Sequence, residues 1–150
     1  MRLRPAHPAE ATALSELALR SKAHWGYDAE FLEACRAELT LDPDALVAQR
    51  GTVAEVDGRL VGFYTLAGEP PEGELTCLFV EPDQIGTGVG RRLWQHAVDA
   101  ARALGFQRFT IESDPSAEYF YLRMGAVRTG ATPSGSIPGR ELPELSYQIT

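Results

Sequence analysis

The stretch Val80-Glu81-Pro82-Asp83-Gln84-Ile85-Gly86-Thr87-Gly88-Val89-Gly90-Arg91-Arg92-Leu93 decides how this chain is read. It lies between an apolar run ending at Val80 and a segment in which Val89, Leu93, Ala97, Ala100, Ala101 and Leu104 recur at helical spacing up to Gly105. Glycines at a strand-to-helix junction let the main chain approach a ligand, and the helix N-terminus adds partial positive charge to its unpaired N–H groups. Such a loop binds phosphate. Arg91 and Arg92 follow it, either as cations that reach phosphates from outside or as a solvated first turn. A P-loop would need a lysine and a hydroxyl residue after its last glycine, and neither is present. A dinucleotide fingerprint would need its third glycine at position 91, which is Arg.

Outward from the loop, the preceding residues 74–80 read as a fourth strand whose apolar finish implies a central position. Before it, a short strand near residues 2–4 leads to a helix carrying Ala11, Leu14, Leu17 and Ala18 on one face and ending near Ser21. Asp28 caps a second helix that presents Phe31, Leu32, Cys35 and Leu39, and Asp42-Pro43 is read as its stop. Residues 52–56 and 60–66 are strands joined by Asp57-Gly58, a two-residue hairpin signal, and residues 68–73 form a loop. After Gly105, residues 108–112 alternate as a fifth strand, and 116–124 form a short helix closed by Gly125. Residues 132–136 form a flexible loop, and a last strand lies around 145–149. The expected fold is α/β: one domain over residues 1–150, a mixed and mostly antiparallel sheet flanked by helices, with one strand–helix–strand crossover.

Composition narrows the function. A net charge of −7 disfavours nucleic acid, whose phosphates require a basic face. No apolar stretch is long enough to cross a bilayer and the start lacks a signal-peptide core, so a cytoplasmic protein without a membrane partner is expected. Cys35 and Cys77 have no zinc spacing, and His7, His24 and His96 are scattered, so no metal is expected. Both cysteines read as buried thiols, with a catalytic Cys77 as the alternative.

The loop stretch, together with Phe120-Tyr121-Leu122-Arg123-Met124-Gly125-Ala126, resembles the central and following motifs of the GNAT superfamily of N-acetyltransferases. The order of elements over residues 1–150 agrees. The resemblance implies a sheet splayed at the fourth and fifth strands, with acetyl-CoA in the split. The main chain of Leu78, Phe79 and Val80 would pair with the pantetheine arm, and Gly86, Thr87, Gly88, Val89, Gly90 and Arg91 would wrap the diphosphate, with Arg92 beside them. The family's usual Arg or Gln before the first glycine is Ile85 here. A loop that binds through backbone N–H groups tolerates that change.

The resemblance also places Tyr121 beside the cofactor sulfur as general acid, since a phenol stays protonated at neutral pH. The alternative is a packed aromatic beside Tyr119 and Phe120. Glu74 and Glu112, at strand ends bordering the cleft, are candidate bases or rim carboxylates that attract a cationic amine. Asp114 and Ser116 are candidate cofactor contacts or helix caps. Residues 22–27, 68–73 and 134–140 are the expected acceptor-recognising segments, with Trp25 and Tyr27 either enclosing an ammonium or anchoring the core. The expected activity is acetyl transfer from acetyl-CoA to a primary amine of a small molecule by direct attack. The alternatives are a protein or peptide amine, a CoA-binding or sensor module without turnover, and, more remotely, a nicotinamide-dependent oxidoreductase. A homodimer is compatible with this expectation.

Overall fold

The computed structural model describes residues 1–134 and 137–149. In chain order the elements are β1 (Arg2–Pro5), α1 (Ala11–Ala23), α2 (Ala29–Leu39), α3 (Pro43–Ala48), β2 (Thr52–Val56), β3 (Arg59–Glu69) and β4 (Glu72–Val80). They continue with α4 (Val89–Leu104), β5 (Arg108–Glu112), α5 (Glu118–Arg123), β6 (Val127–Pro133) and β7 (Glu141–Gln148). Gly135 and Ser136 of the predicted flexible loop lie outside the described residues.

Local chemistry sets most of these boundaries. The Asp28 carboxylate accepts the Phe31 N–H at 2.8 Å and starts α2. Asp57 and Gly58 adopt φ of 51° and 80°, the paired positive values that a two-residue hairpin requires. Gly105 ends α4 with φ 91°.

Three expectations are corrected. Asp42-Pro43 starts a helix rather than stopping one. Thr40 turns extended and ends α2, after which the Asp42 carboxylate accepts the N–H groups of Asp44 and Ala45 and Pro43 takes the first position of α3. Residues 68–73 are not an open loop: β3 and β4 pair as far as Glu69 and Glu72, leaving only Pro70-Pro71 as the turn. Part of the predicted loop at 132–136 belongs to β6, which pairs with β7.

Among the described residues the strands form one sheet in the order β1-β2-β3-β4-β5-β7-β6. Every neighbouring pair is antiparallel except β4 and β5, which the α4 crossover makes parallel. Their pairing covers Glu72–Arg108, Gly73–Phe109 and Glu74–Thr110 and then ends. From residue 75 to Val80 the two strands diverge, with β4 central as expected. One core packs α4 and α5 on one face of the sheet through Trp94, Leu93, Phe109, Ile111 and Tyr121. The other packs α1 and α3 on the opposite face through Leu14, Leu17, Leu46, Val53 and Phe63.

Gly62 on β3 sets how closely α4 approaches. A Cβ there would lie 2.9 Å from Leu93 Cδ1, 3.0 Å from the Phe79 carbonyl oxygen and 3.2 Å from Val89 Cγ1. Gly62→Ala is expected to destabilise the fold by about 2 kcal/mol through overpacking and to lower the melting temperature by roughly 6 °C. Thermal denaturation checks this, and an unchanged midpoint would show that α4 adjusts freely.

Candidate active site

The divergence of β4 and β5 opens a cleft of about 540 Å³, within the range of small-molecule sites. Glu81 N–H donates to the Val61 carbonyl at 2.8 Å. Opposite residues of an antiparallel ladder alternate in bonding, so Cys77 and Phe79 direct their peptide groups to β3. Leu78 and Val80 direct theirs into the split. The split leads to the glycine loop, where Gly86 and Gly88 adopt φ of 87° and 98° with nothing within 4 Å of a Cβ position. The N–H groups of Gly86, Gly88, Val89, Gly90 and Arg91 have no acceptor among the described residues, whereas the Thr87 N–H and hydroxyl both donate to the Gln84 carbonyl. Uncommitted amides at the start of a 16-residue helix, under open glycine faces, suit an extended diphosphate. A thioester cofactor of CoA type fits this donor set.

Tyr121 on α5 lines the cleft from the α4 side of the sheet. Its ring packs against Trp94 and Phe120, with centroids at 5.9 and 5.2 Å. Burial pushes its phenol well above the ordinary tyrosine range, so it stays protonated. Its hydroxyl has no hydrogen-bond partner among the described residues. Cys77, a thiol pushed up by burial, lines the cleft from β4.

The carboxylates stand on the opposite face of the sheet. Glu74 pairs with Thr110, Thr110 and Glu112 share a face, and Glu112 pairs with Glu144, so all three glutamates project to one side. None makes an ion pair with a described residue. Burial, then the charges of Glu74, Glu144 and Glu38, push Glu112 above the usual carboxylate range. A carboxyl raised by folding holds its proton more tightly in the folded chain. Its contribution to stability is therefore intact at acid pH and is lost as pH rises through the raised value. Glu112→Gln is expected to raise the melting temperature by about 2 °C at about pH 8 and to leave it unchanged at about pH 4. Melting curves across pH check this, and a loss of stability at the higher pH would contradict it.

A profile of the acetyltransferase (GNAT) family matches residues 12–126. The chain belongs to the acetyltransferase (GNAT) family. An amino-acid acetyltransferase of Ralstonia nicotianae is 40% identical over 78 residues, 51% of this chain and 17% of that protein. The chain thus spans about a sixth of that relative's length. A GCN5-related N-acetyltransferase from Rhodopseudomonas palustris superposes with a TM-score of 0.82 at 25% identity, over 99% of this chain and 95% of the other. PaiA N-acetyltransferase from Thermoplasma acidophilum, solved in complex with coenzyme A, superposes at 0.81 with 18% identity over 98% of each chain. The seven-stranded mixed sheet with its parallel β4–β5 pair is the GNAT fold.

This GNAT cleft gathers most of the residues read from the sequence. Leu78, Phe79, Val80, Gly86, Gly88, Gly90, Arg91, Glu74, Glu112, Asp114, Ser116, Tyr121 and Trp25 line it. Thr87, Val89 and Arg92 do not, and the Val89 side chain is buried. Trp25 is 43% exposed, a rim aromatic rather than a core anchor. Tyr27 stands behind the wall, stacked on Phe31 at 4.2 Å, with its hydroxyl bonded to Asp114. Asp114 does cap the turn before α5, accepting the Ser116 N–H at 2.8 Å.

The segment 68–73 contributes nothing to the cleft, because its turn packs beside Gly105 at the far end of the sheet. Glu38 also lines the cleft, a placement that no local sequence pattern announces. No helix of the described residues is long and apolar enough to cross a membrane.

Proposed function

We propose that this GNAT-family chain transfers an acetyl group from acetyl-CoA to a primary amine of a small molecule by direct attack. The observation that carries the reading is the β4–β5 split, which joins a row of uncommitted loop amides to a buried, protonated phenol. Acetyl-CoA supplies the acetyl group as an activated thioester. Amides of Gly86, Gly88, Val89, Gly90 and Arg91 hold the diphosphate, and Leu78 and Val80 offer the main-chain groups that align the pantetheine arm. The Val80 N–H supports negative charge developing on the thioester oxygen. Tyr121 donates a proton to the departing sulfur.

The amine arrives from the other face of the sheet. Glu38, Glu74, Glu112 and Glu144 concentrate negative charge there, which draws in an ammonium. Glu74 or Glu112 takes its proton, directly or through water, and a raised carboxylate pKa brings the base closer to neutrality. Asp114 and Ser116 line the same cleft.

The test is release of free CoA thiol from acetyl-CoA across polyamines, amino acids, aminoglycosides and peptides. Amine-dependent release is the expected result. CoA binding without release for any acceptor would overturn acetyl transfer in favour of a CoA-binding or sensor module.

A further inference from the structure

The cleft contains a second polar centre, separate from the glycine loop. Lys22 at the end of α1 and Arg140 just before β7 converge on Asp114, with Lys22 Nζ and one Arg140 Nη each donating to Oδ2 at 3.1 Å. The Tyr27 hydroxyl donates to Asp114 Oδ1 at 3.0 Å and accepts from Arg140 at 3.0 Å. With the Ser116 N–H on Oδ1 as well, both carboxylate oxygens are fully engaged.

The cations are not. Lys22 commits one of its three donors to Asp114, and Arg140 commits one Nη, leaving its other nitrogens without an acceptor among the described residues. Two cations meet one carboxylate here, on side chains only 11% and 16% exposed, and among the described residues Glu74 and Glu112 of the same cleft form no ion pair with either. A purely structural ion pair needs one cation. A second one held this far from water is a cost unless an anion completes the set.

The pair is also held in place before any ligand arrives. The Arg140 guanidinium lies 4.8 Å from the Phe31 ring centroid and 5.4 Å from that of Tyr27, which fixes its plane. Lys22, Asp114 and Arg140 line the same cleft as Glu74 and Glu112. Because Asp114 follows Glu112 by two residues, their main-chain positions are at most about 7 Å apart. Cations and carboxylates therefore border one cleft, close enough for a single small molecule to reach both.

We propose that Lys22 and Arg140 form a carboxylate-binding subsite of the acceptor pocket, so that the acceptor class is a small amino acid carrying both an amine and a free carboxylate. Asp114, Tyr27 and Phe31 are positioning residues that hold the two cations. The proposal rests on the acetyl-transfer reading above. No new bond is made at this subsite; it orients the acceptor so that its amine meets the glutamate wall.

The experiment compares matched acceptors in the thiol-release assay: free amino acids and their carboxamides, which keep the amine and lose the negative charge. The wild-type chain is expected to favour the acid in kcat/KM on the order of 30-fold, mainly through acceptor KM. Arg140→Gln is expected to reduce that preference below roughly threefold. Lys22→Met reads the same ratio should the first variant fail to fold. Equal rates for acid and amide in the wild type overturn the inference and leave acetyl transfer standing, whereas no release with any acceptor overturns both. A variant that weakens CoA binding by the factor it raises acceptor KM assigns the cations to the cofactor's phosphates, which also overturns it.

Discussion

Gly90→Asp is expected to weaken CoA binding about 100-fold while leaving the fold as stable as before or more so. Gly90 is the second residue of α4, and a Cβ there would meet Phe120 at 3.4 Å and Val80 at 3.6 Å, which are ordinary contacts. An acidic side chain in the first helical turn stabilises the helix by about 0.3–1 kcal/mol, and replacing a helical glycine by aspartate adds about 0.3 kcal/mol more. The same carboxylate would stand among the amides proposed to hold a diphosphate. At about 4 Å and an effective dielectric near 20, like charges repel by about 4 kcal/mol, of which a hundredfold loss of affinity uses about 2.7 kcal/mol. Calorimetric titration with CoA beside a melting curve separates the two effects. Unchanged affinity would place the diphosphate elsewhere.

Tyr121→Phe is expected to lower kcat by about 100-fold, the lower end for loss of a positioned general acid. CoA affinity should stay within about twofold. The substitution removes only a hydroxyl that has no partner among the described residues, so the packing against Trp94 and Phe120 survives. Stopped-time thiol release at saturating acetyl-CoA gives kcat. A variant as fast as the wild type would reduce Tyr121 to a packing residue, and the proton for the leaving sulfur would have to come from solvent or from another group.

What could be read from the sequence was whatever short-range chemistry determines. The glycine loop, the Gly105 cap, the Asp28 cap and the Asp57-Gly58 hairpin each depend on residues within a few positions, and each stands where the pattern placed it. Asp42-Pro43 is ambiguous in sequence because the same pair can follow one helix or open another; the outcome depends on Asp42 finding two amides to cap. β6 has little alternation to reveal it, since most of its residues are exposed at the sheet edge.

The chemistry of the acceptor side lay further out of reach. Glu112 meets Glu144 only through β5–β7 pairing. Lys22 and Arg140 meet Asp114 across separations of 92 and 26 residues. A single sequence carries no register for such contacts. The segments 22–27 and 134–140 were marked for acceptor recognition, but it takes the fold to show that their cations share one carboxylate.

The central claim is that main-chain amides of the glycine loop hold the diphosphate of a CoA-type ligand. Amide NMR of the nitrogen-15-labelled chain during titration with CoA tests it most directly. The largest shifts are expected at Gly86, Gly88, Gly90 and Arg91, with further shifts at Leu78 and Val80 in the split. Saturating CoA that leaves those glycine amides unmoved, or that shifts a different surface, would contradict it.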